Sequence, residues 1–204
     1  MKVTSRNKAT RCWQPGSLTT WLFRAFSSLA AFASAVLLVD TGIHQRHPSA
    51  SLQCDITATV SCSREMDQWQ SHVLGIPNPV FGVVVFGFLV LVSWLEPTPA
   101  PIRRFLHCSA AACIAGSWIA VQWFWYQSLF VIGVVCPWCV AVWLSVILMF
   151  WVVLPRHFCR YRFRIQPVRK RLPGCLCSYG WVLGAAHACA VLITTYCEVL
   201  ASQY

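Results

Sequence analysis

Long uncharged runs dominate the chain. The 51 residues 105–155 contain no Asp, Glu, Lys or Arg, and neither do the 28 residues 68–95 or the 26 residues 172–197. A helix that crosses a bilayer needs about 20 mostly apolar residues. The longest run therefore has room for two spans, and each of the other two has room for one.

These runs, with one further apolar stretch near the N-terminus, predict five membrane-spanning helices. They cover residues 21–39, 79–95, 105–126, 131–154 and 178–197. Pro79 suits the first turn of the second helix, and we expect a turn near Gln127 and Ser128 between the third and the fourth. The second helix is short, which a locally thin bilayer would accommodate.

Composition supports an integral membrane protein and excludes other classes. Hydrophobic residues make up 57% of the 204 residues and charged residues only 11%, against roughly 25% charged residues in soluble domains. A disordered chain would be poor in apolar and aromatic residues. A nucleic-acid-binding protein could share the net charge of +10, but not this hydrophobicity.

Basic residues predict the orientation. Fourteen of the 16 fall at the N-terminus, between the second and third spans, or between the fourth and fifth spans. Positive charge favours the cytoplasmic side, so we expect a cytoplasmic N-terminus in the cell (inner) membrane. The long loop 40–78 and the short loop near residues 127–130 then face outward. A signal peptide cleaved after Ala33-Ser34-Ala35 is an open alternative, although the apolar run continues to Val39.

Topology divides the 12 cysteines. Two pairs lie where an oxidising compartment reaches them, namely Cys54 with Cys62 in the long loop and Cys136 with Cys139 at the outer end of the fourth span. The other eight are most simply small apolar residues.

Cys136-Pro137-Trp138-Cys139 is a CxxC motif at the start of a helix. Residues three apart on a helix share one face, so the two sulfurs can form a disulfide. The positive end of the helix dipole favours the reactive thiolate, and Pro137 suits the first helical turn.

The polar loop around Cys54 and Cys62 is suited to carry a dithiol between an aqueous partner and the CxxC. One pair in lipid and one pair in water is the arrangement of an electron relay, since thiol–disulfide exchange needs only transient contact. Two alternatives are a zinc site formed by both pairs and a structural disulfide in the loop. We expect no metal.

Several motifs in order resemble the vitamin K epoxide reductase family, and in particular its bacterial branch. They are Cys54-Asp55, Ser61-Cys62-Ser63, Trp69, Asn78-Pro79-Val80-Phe81-Gly82 and Cys136-Pro137-Trp138-Cys139. The resemblance covers about residues 20–155. In DsbB-type enzymes, by contrast, the CxxC precedes the second pair.

The resemblance implies an all-α integral membrane fold, with a four-helix transmembrane bundle around a quinone site and a fifth, peripheral transmembrane helix. It implies a cytoplasmic tail at 1–20, a catalytic core at 21–155 with the outer loop 40–78, a basic cytoplasmic loop at 156–174, and the fifth helix with a short outer tail at 175–204. Many bacterial relatives carry a thioredoxin-like domain after the fifth span. We expect none here, and therefore a separate DsbA-like or thioredoxin-like secreted partner.

The resemblance also implies roles for individual residues. Cys54 would take electrons from the partner, Cys62 would exchange with Cys136, and Cys139 would reduce a quinone (menaquinone or ubiquinone). The residues expected to contact the quinone are Asn78, Phe81 and Trp143. For Asn78 the alternative is an N-cap before Pro79.

Trp143 stands where animal members have a tyrosine, which favours plain quinone over the epoxide as substrate. The alternative for Trp143 is an aromatic residue at the membrane interface.

We therefore expect a quinone-dependent thiol–disulfide oxidoreductase that supports disulfide formation. The alternative is a non-catalytic membrane scaffold whose outer cysteines form structural disulfides. Four polar loop residues could assist proton transfer, although solvent exposure is the simpler interpretation of each: Asp55, Glu65, Asp67 and His72. The apolar residues Trp69, Val73, Leu74 and Ile76 suggest a lid that rests on the bilayer edge.

Overall fold

The computed structural model describes residues 18–49, 51–95, 100–155 and 174–201, and these ranges are helical apart from short connections. Their α-helices are α1 (Leu18–Arg46), α2 (Cys62–Met66), α3 (Asn78–Trp94), α4 (Ala100–Tyr126), α5 (Pro137–Leu148) and α6 (Gly174–Ala201). A 3-10 turn (Trp69–His72) follows α2, and π-helical segments extend α4 (Gln127–Ile132) and α5 (Met149–Val153). The predicted N-terminal tail up to residue 17 and the basic loop 156–173 lie outside the described residues.

Three helices are long and apolar enough to cross a membrane, namely Leu18–Arg46, Phe105–Ile132 and Tyr179–Ala201. Two further apolar helices, Asn78–Trp94 and Pro137–Val153, are shorter than 18 residues. The described residues thereby confirm the all-helical class, with three helices that could span a membrane. The number of spans depends on the two shorter helices.

The chain reverses between α4 and α5 later than the sequence predicts. We expected a turn near Gln127 and Ser128, but the helix continues through them to Ile132 with π-type hydrogen bonds. It ends where Gly133 adopts a left-handed conformation, with φ of 69°, which glycine accepts without steric cost. As a result α5 begins at Pro137 rather than at residue 131, and Cys136 is its N-cap.

Helix α1 packs against α3 and α5 at the centre of the molecule. Its side chains Ala30, Ala33 and Ser34 are buried, so the possible cleavage site lies within a packed and uninterrupted helix. Opposite Ser34, a Cβ added to Gly82 would lie 2.5 Å from the serine Oγ. Glycine is what allows α1 and α3 to approach this closely.

Helix α6 docks onto the π-helical end of α5. A Cβ at Gly180 would clash with the Trp151 carbonyl oxygen, and one at Gly184 would lie 3.2 Å from the Trp151 Cβ. The Trp151 Nε1 also donates a hydrogen bond to His187 Nδ1 at 3.0 Å. The Nε2 of that imidazole lies 3.3 Å from Gln122 Oε1, so a chain of polar contacts joins α4, α5 and α6.

Candidate redox site

Asp55 organises the loop that carries the first cysteine pair. Its carboxylate accepts hydrogen bonds from the Leu52 amide at 2.8 Å, the Ser61 hydroxyl at 2.7 Å and the Ser63 amide at 3.1 Å. Burial acts to raise the pKa of Asp55, but the hydrogen bonds from Ser61, Leu52 and Ser63 outweigh it and lower that pKa to about 2. The side chain is therefore an ionised hub at neutral pH rather than a free surface group.

Cys54 and Cys62 are joined in a disulfide across this hub. Cys54 is only 4% exposed, and its Sγ lies 3.9 Å from Asp40 Oδ2 near the C-terminal end of α1. In this arrangement the sulfur is covered, so a macromolecule in solution would reach it only after the segment around it moved.

Backbone hydrogen bonds hold the loop against the start of α5. The Val135 amide donates to the Thr59 carbonyl at 2.9 Å, and the Ser61 amide donates to the Val135 carbonyl at 3.2 Å. Residues 59–61 and 135 thus pair like neighbouring strands for one step. This pairing places the next residue of each segment, Cys62 and Cys136, side by side.

The two cysteine pairs meet at that point. The Cys62 Sγ lies 3.0 Å from the Cys136 Sγ, although 74 residues separate them in sequence. Cys136 and Cys139 are free thiols, and Cys136 is 1% exposed. Because Cys136 is the N-cap and Pro137 follows it in the first turn, the motif opens its helix as predicted.

A cavity of about 430 Å³ lies beneath the two pairs, between α1, α3, α4 and α5. Six of the seven predicted site residues line it: Cys62, Asn78, Phe81, Cys136, Cys139 and Trp143. The exception is Cys54, which lies on the far side of the disulfide. The structure therefore brings the residues predicted to contact the cofactor and both cysteines of the CxxC to one cavity.

The alternative interpretation, in which Asn78 is the N-cap of α3, is wrong. Pro77 is the cap residue, and Asn78 is the first residue of the helix. Its Nδ2 instead donates to the Gln70 carbonyl in the 3-10 turn at 2.6 Å. This bond ties the turn to α3, and Asn78 also lines the cavity.

Trp143 is buried, at 3% exposure, and belongs to the main hydrophobic core. The alternative of an interfacial aromatic residue is therefore wrong for this side chain. It lies four residues after Cys139 on the same face of α5, as predicted, and both line the cavity.

Sequence reasoning missed the environment of Glu65. One helical turn after Cys62, its carboxylate points inward: the Ser128 hydroxyl donates to Oε1 at 2.7 Å, and Oε2 is buried with no hydrogen bond of regular geometry. Burial raises the pKa of Glu65 to about 7, against the lowering effects of the Ser128 hydroxyl, the Cys136 amide and the Cys139 thiol. Solvent exposure, the expectation from sequence, is wrong here. The only signal in the sequence was the i, i+3 spacing from Cys62.

Glu65, Cys136 and Cys139 form a compact donor set. One ligand atom from each lies within 4.8 Å of the others, and thiolates with a carboxylate are ligands that suit zinc. A bound metal would hold both thiolates and prevent them from forming a disulfide with each other. The absence of a metal stays a prediction.

The segment from Trp69 to Ile76 has the composition expected of a lid. Trp69 is 67% exposed and Leu74 is 72% exposed, while Val73 and Leu74 also line the cavity. Trp69 makes an edge-to-face contact with Trp123 of α4. Exposed apolar side chains in this segment suit contact with the edge of a bilayer. Movement of the segment stays a prediction.

A comparison with protein families identifies the chain. The model of the vitamin K epoxide reductase family matches residues 21–154, and the chain belongs to that family. This range contains both cysteine pairs and every cavity residue named above. A search of curated proteins finds no match. Family membership gives the chain a membrane redox function connected with disulfides, and oxidoreductase activity in general.

Proposed function

We propose that the protein is a quinone-dependent thiol–disulfide oxidoreductase of the cell (inner) membrane. It takes electrons from a separate DsbA-like or thioredoxin-like secreted protein and passes them to membrane quinone, thereby supporting disulfide formation. The observation that carries this proposal is the 3.0 Å distance between the Cys62 and Cys136 sulfurs. A loop disulfide with a purely structural role would have no reason to lie against a free thiol of a CxxC.

The relay proceeds by thiol–disulfide exchange. A dithiol partner reduces the Cys54–Cys62 disulfide through a mixed disulfide with Cys54. The Cys62 thiolate then attacks Cys136 in an oxidised CxxC, and Cys139 leaves. Attack of Cys54 on Cys62 restores the loop disulfide and leaves Cys136 and Cys139 reduced. The structure has this last arrangement of bonds.

The cavity residues fit a quinone. Cavities of 300–1,000 Å³ with apolar walls and a few convergent polar groups are typical of small-ligand sites. Asn78 has an amide hydrogen for a carbonyl oxygen, Trp143 and Phe81 have aromatic rings for stacking, and Cys139 lines the same cavity. When bound, a quinone accepts two electrons and two protons.

We further propose that α1, α3, α4 and α5 form a four-helix transmembrane bundle around the quinone site and that α6 is a peripheral fifth span. The N-terminus is then cytoplasmic and the cysteine pairs face outward, in accord with the distribution of basic residues. Among the described residues of α6, none lines the cavity, which supports its peripheral role.

Quinone reduction by the purified protein in detergent tests this proposal. A small dithiol and a thioredoxin-fold protein serve as alternative donors, and the variants are Cys139→Ala and Cys54→Ala. Cys189→Ala is the matched control, because Cys189 is a free and exposed thiol on α6. We expect Cys139→Ala to abolish turnover with both donors and Cys54→Ala to abolish it with the protein donor only. Wild-type protein that reduces no quinone, with its outer cysteines always oxidised, would favour the scaffold.

A further inference from the structure

Glu65 is a carboxylate inside the redox site, and the relay described above gives it no role. It lies on α2 one turn after Cys62, so both residues face the start of α5. Its ligand oxygen, the Cys136 Sγ and the Cys139 Sγ all lie within 4.8 Å of one another. Ser128 fixes one carboxylate oxygen, while the other is buried without a regular hydrogen bond.

Thiol–disulfide exchange at this place needs a proton donor and acceptor. When Cys62 attacks Cys136, the bond between Cys136 and Cys139 breaks and Cys139 leaves as a thiolate. A thiolate released into a buried apolar cavity is costly without a counterion or a proton. The reverse demand arises when Cys139, as a thiol, must lose its proton to become a nucleophile.

We propose that Glu65 is the catalytic acid and base of Cys139, an inference that rests on the proposed relay. It gives its proton to the Cys139 thiolate as the CxxC disulfide opens, and it takes that proton back when Cys139 is next oxidised. In the opening step the loop dithiol becomes a disulfide and the CxxC disulfide becomes a dithiol. Of the two protons that leave the loop thiols, one goes to Cys136 and the other to solvent. Glu65 protonates Cys139 and then stays ionised until Cys139 is next oxidised.

The surroundings suit a group that changes charge during the cycle. Burial raises the pKa of Glu65 to about 7, so both of its forms are populated near neutral pH. Other ionisable groups on the neighbouring elements already have partners. His44 pairs with Asp67 at 2.8 Å, and His72 bonds to the Ser71 hydroxyl at 2.7 Å. On the remaining sides lie Asp40 beside Cys54, the Asp55 hub, and the two CxxC thiols.

The first test needs no quinone. Quinone-free protein in detergent, reduced at Cys136 and Cys139, is alkylated with iodoacetamide between pH 5 and 9, and the rate at Cys139 is read by mass spectrometry of its peptide. In wild type we expect the rate to rise in a step near pH 7, as Glu65 loses its proton and can accept that of the thiol. Glu65→Gln keeps the shape and the contact with Ser128 but should lose the step.

Two further variants sharpen this test. Asp67→Asn removes an exposed carboxylate two residues away and should keep the step at the wild-type pH. Ser128→Ala removes a hydrogen bond that lowers the pKa of Glu65 and should move the step to higher pH. A Glu65→Gln profile that matches wild type, or a step that Ser128→Ala does not move, would contradict the inference.

Steady-state turnover separates this inference from the proposed function. Loss of a positioned acid–base group costs about 100-fold or more in rate, so we expect Glu65→Gln to reduce kcat for quinone reduction by that factor. Full turnover without Cys139 would overturn the proposed function itself. Turnover that needs Cys139 but is unchanged in Glu65→Gln would overturn only the role of Glu65.

Discussion

At the scale of single residues, the relay depends on which sulfur atoms can meet. The Cys62 and Cys136 sulfurs are already in contact. In the proposed relay, Cys54 and Cys139 are the thiols that would break a bond between them. The double variant Cys54→Ala/Cys139→Ala removes both. We therefore expect a Cys62–Cys136 disulfide to accumulate under mild oxidation, detected as one cross-linked peptide by non-reducing mass spectrometry.

The control for this experiment is a second double variant, Cys108→Ala/Cys189→Ala, which removes two exposed thiols that lie outside the redox site. It should give no Cys62–Cys136 cross-link beyond the wild-type amount. A trapped variant in which Cys62 pairs mainly with any other cysteine would contradict the assigned order of exchange.

The Asp55 hub yields a prediction about the covered Cys54. Asp55→Ala removes three acceptor contacts of an ionised group, each worth about 1.5–3 kcal/mol. If the free energy of opening the loop falls by only about 1.4 kcal/mol, the loop disulfide is reduced about tenfold faster. We therefore expect at least that increase in Asp55→Ala. The rate is measured with a phosphine reductant, and Asp67→Ala serves as the control.

The hub also sets a pH limit. Because the pKa of Asp55 is lowered from 3.8 to about 2, its stabilisation of the loop is fully present above about pH 4 and is lost as pH falls towards 2. The difference between Asp55→Ala and wild type should therefore be constant from pH 5 to 8. A difference that disappears within that range would contradict the hub.

At this scale, the sequence indicated which residues could form the site, but it did not indicate which side chains are buried. The four cysteines and Asn78 could be proposed as site residues because their residue types and order resemble a family pattern, and Trp143 because it lies four residues after Cys139. The inward direction of Glu65 depends on Ser128, 63 residues away, and no local pattern encodes that contact. The same limit applies to the contact between Asn78 and the Gln70 carbonyl.

At the scale of elements, glycine positions determine how α6 sits on the core. Gly180→Leu would drive a side chain into the Trp151 backbone carbonyl, with which a Cβ alone would already clash. We expect α6 to detach, with a lower thermal midpoint and faster proteolysis within α6. Quinone reduction by the remaining core should stay within about twofold of wild type, since α6 adds nothing to the cavity wall.

Gly87→Leu is the control for this variant, because nothing lies within 4 Å of a Cβ at that position of α3. It should behave like wild type in both assays. A Gly180→Leu protein that loses activity while its core remains folded would show that α6 has more than a peripheral role.

Hydrophobic patterning located the helices well but placed some of their ends wrongly. The predicted second span, residues 79–95, differs by one residue at each end from Asn78–Trp94. The fourth was placed six residues too early, because residues 131–135 are as apolar as a helix requires. The left-handed Gly133 and the π-helical hydrogen bonds that end α4 leave no signature in hydrophobicity.

At the scale of the whole molecule, basic residues predict the orientation. If all five apolar helices cross the membrane, the two ends of the chain lie on opposite sides. Single cysteines added at residues 8 and 202 of a cysteine-free variant should then differ in reaction with an impermeant maleimide in intact cells. We expect labelling at 202 only. Labelling of both positions, or of neither, would mean that an even number of helices spans the bilayer.

The class of protein was predictable at this scale because charge and hydrophobicity are properties of composition. The family pattern also predicted that Cys62 of the loop pair exchanges with Cys136 of the CxxC. The contact between Cys62 and Cys136 required the structure, because it depends on the pairing of residues 59–61 with Val135. One backbone bridge thus joins the aqueous loop to the helix that carries the CxxC.

The central claim is that electrons from the CxxC reach a quinone. It is tested most directly by a single turnover of fully reduced protein with excess quinone in detergent, without added donor. Quinol is measured by absorbance, and disulfides by trapping and mass spectrometry at the same times. We predict that the first quinol appears together with a Cys136–Cys139 disulfide, one for one, and that Cys139→Ala gives none. Quinol formed without that disulfide, or the disulfide formed without quinol, would contradict the account.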